Sequence, residues 1–217
     1  MDTSPVITCS RFLLTLKCLM LLMVCSSTAV ATPSAGVVGT DLTGAKVALG
    51  KLLFNDINLS EPAGQSCASC HAAGAAHSDP DKVVSPGANP ALFGNRNAPS
   101  IHYVKFNPEL FWNSEDETWM GGFFLDGRAL TLRDQATAPL LNPLEMGNKD
   151  NAQVQAKVKA AAYAPLLARL YGETVFDSAV NTLAAVADAI AEYEQGPEFA
   201  LFSSKYDHFL QGKASLS

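Results

Sequence analysis

Apolar positions along the chain recur at three- and four-residue spacing far more often than they alternate, which predicts helices and not strands. Thr43 to Phe54 carries Val47, Leu49, Leu52, Leu53 and Phe54, an imperfectly amphipathic helix that stops near Asn55-Asp56. The most regular pattern runs from Asp177 to Gln195, where Val180, Leu183, Ala184, Ala187 and Ile190 predict a single buried stripe. Thr131-Leu132-Arg133-Asp134 resembles a capping box and opens a helix that Pro139 is expected to end. Asp150 is expected to cap a helix running through Ala162, Pro165 to open the next, and Gly172 to close it. Ala72 to Ser100, rich in Gly, Pro, Asn and Asp, has no sustained period and predicts a long loop. Long ordered loops in compact domains are often functional. No stretch alternates like a strand over a useful length, and no segment repeats. The expected fold class is all-α, with long loops.

The first 31 of the 217 residues change how the rest is counted. Arg11 and Lys17 give a positive start, Cys18 to Cys25 (CLMLLMVC) a short apolar core, and Ala29-Val30-Ala31 a small-x-small cleavage site. That is the pattern of a secretory signal peptide. The apolar run is far below the roughly 20 residues that a spanning helix needs. A cleaved leader over 1–31 predicts export to the periplasm, with 32–42 as a flexible lead-in. The remaining 186 residues suffice for one core and carry a net charge of −7. No Lys/Arg run survives, so nucleic acid is not expected as a partner. An acidic surface suits a basic redox partner, and is equally ordinary for an exported domain.

The cysteines decide more. Cys9, Cys18 and Cys25 leave with the leader, so only Cys67 and Cys70 remain, within Cys67-Ala68-Ser69-Cys70-His71. Ser66 can cap a short helix there. Two thiols one helical turn apart followed by an imidazole match the c-type haem attachment motif. Covalent haem c, one per chain, is expected, with His71 as axial ligand to the iron. Structural zinc would need more ligands, and the other three histidines are scattered. A thioredoxin-like thiol pair would need a βαβ unit. The expected architecture is thus a cytochrome c-like helical domain. Candidates for the sixth iron position are Met120, Met146, His77, His102 and His208. His77, six residues from His71, is poorly placed to reach the opposite haem face. Met146, far along the chain after a Pro-containing turn, is open to ligation.

Gly50-Lys51-Leu52-Leu53-Phe54-Asn55-Asp56 with Leu59-Ser60, Arg96-Asn97-Ala98-Pro99-Ser100, Asp126-Gly127-Arg128-Ala129 and Leu132-Arg133-Asp134-Gln135-Ala136 occur in order around the haem motif. They lead to Pro139-Leu140-Leu141-Asn142-Pro143-Leu144-Glu145-Met146. In this order the chain resembles the N-terminal haem domain of bacterial di-haem cytochrome c peroxidases, a family that includes the methylamine-utilisation di-haem enzymes. The resemblance spans roughly residues 45–213, and a domain of this type is expected over 43–213. It implies a peroxidatic N-terminal haem, with Gln135 and Glu145 matching the family's distal pair. A carboxylate near the iron can move a proton between the peroxide oxygens, and Gln135 can orient them. Arg128 is expected to bind a haem propionate. Asn97 matches a residue that helps hold an interdomain calcium, whose other ligands would come from a second domain.

Three departures stand out. Leu125 replaces the Trp that usually precedes Asp-Gly-Arg, the family's second haem domain is not expected here, and Ser85 to Asn95 holds no switching His. The resemblance implies reduction of hydrogen peroxide with electrons from a small donor protein of cytochrome or cupredoxin type. The alternatives are a non-catalytic mono-haem electron carrier, or a fragment that works with a separate second-haem domain or chain.

Overall fold

The computed structural model describes residues 41–216. The leader predicted over 1–31, and the lead-in up to residue 40, lie outside them. Seven helices are described: α1 (Leu42–Phe54), α2 (Cys67–Cys70), α3 (Leu132–Leu141), α4 (Asn151–Ala160), α5 (Ala164–Tyr171), α6 (Ala179–Glu194) and α7 (Lys205–Leu210). The described residues are mostly helical, as the all-α expectation has it. No helix among the described residues is long and apolar enough to cross a membrane.

Local chemistry explains the helix ends. Asp41 caps α1 by accepting from the Gly44 N–H at 3.0 Å, so the helix begins at Leu42 inside the predicted lead-in. Asp150 and Ser178 cap α4 and α6 in the same way. Pro165 lies in the first turn of α5, and Gly172 ends that helix.

α6 is the hub, packed by α1, α3 and α4. A Cβ on Gly50 would stand 1.9 Å from the Ala189 carbonyl oxygen, so only glycine lets α1 and α6 approach this closely. Leu49, Leu53, Val154, Val158, Leu167 and Val186 are completely buried around this contact. Each fully buried Leu stabilises the fold by about 1.5–3 kcal/mol.

Two sequence expectations need correction. The α6 stripe does not include Val180, which is 64% exposed, or Ala184, which is also exposed. Burial centres on Leu183, Val186, Ala187 and Ile190 and spreads to Ala185 and Ala189, because three helices surround α6. Pro139 does not end α3, which continues to Leu141. Pro139 sits in the last turn, where its missing N–H removes a single bond, and the Asn142 N–H to Ala138 carbonyl bond (3.0 Å) closes the helix beyond it.

A small antiparallel hairpin was not foreseen. It joins β1 (Phe111–Asn113) to β2 (Thr118–Met120) in the register Phe111–Met120, Trp112–Trp119 and Asn113–Thr118. Three-residue strands are too short for alternation to show. The stretch predicted as loop, 72–100, carries one short 3-10 turn (Ala73–Ala75) and is otherwise irregular among the described residues, and part of it lines the site.

Candidate functional site

The motif Cys67-Ala68-Ser69-Cys70-His71 folds as a single helical turn. The Ser66 N–H donates to Ser69 Oγ at 3.0 Å, and the His71 N–H closes the turn on the Cys67 carbonyl at 2.9 Å. Residues at i, i+3 and i+4 share a helix face, so both thiols and the imidazole line one cavity of about 410 Å³. Gln65 braces the turn, its Nε2 donating to the Pro86 carbonyl at 2.7 Å.

Among the described residues both cysteines are free of disulfides. Burial pushes the Cys67 thiol up to about 12, reinforced by the charge of Glu194, and raises Cys70 as well. Catalytic thiol pairs need a lowered pKa to supply thiolate. These environments do the reverse, which opposes thiol redox chemistry and leaves two neutral thiols aimed at a common cavity.

His71 Nδ1 lies 2.9 Å from the His77 carbonyl oxygen. A carbonyl only accepts, so Nδ1 carries the proton and Nε2 keeps a lone pair for a metal. Burial pushes the His71 pKa down, partly offset by the carbonyls of His77 and Pro99, which favours the neutral ligand form.

α3 supplies another wall. Gln135, Ala136, Pro139 and Leu140 face the cavity together, followed by Glu145 and Met146. Asn142 Nδ2 donates to Glu145 Oε1 at 2.9 Å. Burial raises the Glu145 carboxyl above the usual range, while Asn142 and the Arg128 charge oppose the shift. The loop before it is stapled close. The Ala88 N–H reaches the Glu145 carbonyl at 2.7 Å, and a Cβ on Gly87 would meet the Leu144 carbonyl oxygen at 2.6 Å.

Arg128 and Arg96 both pair with Asp126, which they hold down at about 2. The Arg128 guanidinium also lies over the Phe124 ring at 3.6 Å. Both arginines line the cavity rim, as do Leu125, 60% exposed, and Asn97. Asn97 Nδ2 donates to the Lys82 carbonyl at 3.2 Å. Among the described residues no cluster of three His, Cys, Asp or Glu could hold a free metal ion.

All seven residues singled out from the sequence therefore border one cavity: Cys67, Cys70, His71, Gln135, Glu145, Arg128 and Asn97. Of the sixth-ligand candidates, Met146 and His102 border it, while Met120, His77 and His208 do not. Sequence reasoning missed Glu194, 5% exposed, which burial raises to about 8 and whose Oε2 has no hydrogen-bond partner among the described residues. The signal was a lone acid one helical turn beyond Ile190, on the apolar side of α6.

The cavity fits haem c by the chemistry of its donors. It offers two thiols for thioether bonds, an imidazole whose Nδ1 is held by a carbonyl, apolar walls from Ile101, Leu132 and Leu140, and arginines on its lining. Two buried oxygens on residues of its lining, Glu194 Oε2 and Gln65 Oε1, have no hydrogen-bond partner among the described residues, which leaves room for polar groups of an occupant.

The family model for the di-haem cytochrome c peroxidases matches residues 44–215. The chain is 39% identical over 175 residues to the methylamine utilization protein MauG of Paracoccus denitrificans, covering 78% of this chain and 45% of that protein. It is 37% identical over 169 residues to the cytochrome c peroxidase Ccp of Escherichia coli, covering 77% of this chain and 31% of that protein. The crystal structure of the diheme peroxidase BthA from Burkholderia thailandensis superposes with a TM-score of 0.75 at 36% identity, over 79% of this chain and 43% of that one. The chain thus spans less than half the length of these relatives.

Proposed function

Because the chain belongs to the di-haem cytochrome c peroxidase family, we propose that it is a peroxide-reducing haem domain, carrying one covalent haem c on Cys67 and Cys70 with His71 as axial ligand. A haem c held there would supply an iron able to take part in one-electron redox chemistry with peroxide. Hydrogen peroxide takes up two electrons and two protons to give two waters. Within that balance, Glu145 accepts a proton from one peroxide oxygen and returns it to the other. Gln135 orients the peroxide by hydrogen bonding, and His71 would hold the iron. Arg128 binds a haem propionate. Electrons come from a small donor protein of cytochrome or cupredoxin type, or through a second haem domain or chain. Calcium at Asn97 would need further ligands from such a domain. The pattern over residues 1–31 supports a periplasmic location.

The observation that carries this reading is the meeting of the Cys67–His71 turn with a half-buried Glu145 in one cavity. Glu145→Gln keeps size and hydrogen bonding but loses the basic oxygen. Positioned acid–base groups contribute about 10²–10⁴ in rate, or about 3–5 kcal/mol of barrier. Rapid mixing of the ferric protein with peroxide is expected to slow by that factor at unchanged haem content. An unchanged rate would make Glu145 a bystander.

One observation favours the electron-carrier alternative: Met146 borders the same cavity. The ferric spectrum separates the two readings, with high-spin bands expected for an open site and low-spin bands for Met ligation.

A further inference from the structure

The carbonyl that faces His71 Nδ1 is aimed by an uncommon backbone. Ala76 and His77 both adopt left-handed φ, at 53° and 54°. Consecutive non-glycine residues in this region persist only where their surroundings hold them. Here the His77 N–H is bound to the Ala72 carbonyl at 2.9 Å, and the Ala76 carbonyl accepts from Ser100 Oγ at 2.5 Å. The His77 side chain is fixed separately. Its Nδ1 lies 3.0 Å from His102 Nε2, and its ring packs against that of Phe199 with centroids 4.6 Å apart. Phe199 is buried, and the His102 N–H is tied to Ser100 Oγ at 3.1 Å. Ser100 therefore anchors both ends of the arrangement.

We infer that His77 and His102 form a positioning pair for the axial ligand: their imidazole–imidazole hydrogen bond locks the strained His77 backbone so that its carbonyl stays on His71 Nδ1. A firm acceptor there raises the basicity of the ligating Nε2 and fixes the ring orientation. A more basic axial imidazole stabilises ferric over ferrous iron. Neither histidine needs to touch the iron. The pair adds to the proposed haem site and rests on His71 being the iron ligand.

The test uses the full, haem-loaded chain. His102→Phe keeps an aromatic ring beside Phe199 and His77 but removes Nε2, while His102→Gln restores a hydrogen-bonding partner. Redox titration of the Phe variant is expected to shift the ferrous-to-ferric ratio at a fixed poise about tenfold toward ferrous, equal to about 59 mV for a one-electron couple. The Gln variant is expected to return most of that shift. Should His102→Phe fail to load haem, His77→Asn serves instead, since Asn tolerates the left-handed region and removes the ring pair; the same direction is expected. A potential that moves less than about threefold in the ratio, at full haem content, overturns the inference. Absence of covalent haem in the parent chain would instead overturn the haem reading, so the two failures are distinguishable.

Discussion

The helical half and the loop half of this domain differ in the balance of apolar burial and polar bonding that holds them. Around α1, α4, α5 and α6, Leu49, Leu53, Val158, Leu167 and Val186 are fully buried. From residue 72 to residue 130, by contrast, Val83, Trp119, Leu125 and Leu130 are all more than half exposed. This half buries Ile101, Phe123 and Ala129, and adds polar bonds such as Ser85 Oγ to Asp79 Oδ2 at 2.6 Å, the Asp81 and Lys82 N–H groups on Asp79 Oδ1, and the Gly94 N–H on the Ser85 carbonyl. Apolar burial supplies a scaffold whose exact side chains matter for stability. The loops supply directed carbonyls, amides and charges that matter for chemistry.

The sharpest way to break this contrast is at the motif turn, where the two halves meet. Replacing Cys67 and Cys70 together by Ala is expected to remove covalent haem entirely, read as loss of the haem mass from the intact protein. In the scaffold, Leu49→Ala empties a fully buried position and is expected to cost about 2–5 kcal/mol of stability. A lowered urea midpoint with an unchanged haem spectrum would keep the two halves separate. A changed spectrum would show that the core also tunes the site.

Glu194 gives a pH-dependent test. Burial holds its carboxyl at about 8, against 4.5 for an ordinary glutamic acid. Below about 4.5 both folded and unfolded chains are protonated there, and the group's contribution is fully present. As pH rises from 4.5 through 8, the unfolded chain ionises first, so stability falls. Glu194→Gln is expected to flatten that decline, measured as urea midpoints of the haem-loaded protein between pH 5 and pH 8. An unaltered slope would assign the decline to other groups.

The same division governs what was legible in the sequence. Caps such as Asp150 and Thr131, and the apolar spacing of α1 and α6, are local signals, and the helices they predict are present. The Cys67–His71 turn is also local, and its five residues name their own chemistry. Glu145 and Gln135 were placed by family resemblance, since a Glu three residues after Asn142 carries no cavity signature of its own. What escaped prediction depends on contacts distant in the chain. Val180 and Ala184 share the apolar period of α6, but burial follows the helices around it. The His77–His102 contact spans 25 residues of loop, and no periodicity announces two left-handed residues in succession.

Met146 belongs to both halves, and it sets the smallest and most discriminating prediction. It is 3% exposed, packs within the main core cluster and also borders the cavity. Its N–H donates to the Pro139 carbonyl at 3.2 Å, which ties it to the end of α3 beside Glu145. Met146→Leu preserves volume and apolar character, and such swaps usually cost under about 1.5 kcal/mol. It removes only the thioether sulfur. If Met146 is a packing residue, the ferric spectrum is expected to stay as it is, with peroxide reactivity unchanged. A ligand cannot be replaced so quietly: loss of the sulfur would convert low-spin bands to high-spin and open the iron to peroxide. That outcome would move Met146 from scaffold to site and make the electron-carrier reading the correct one.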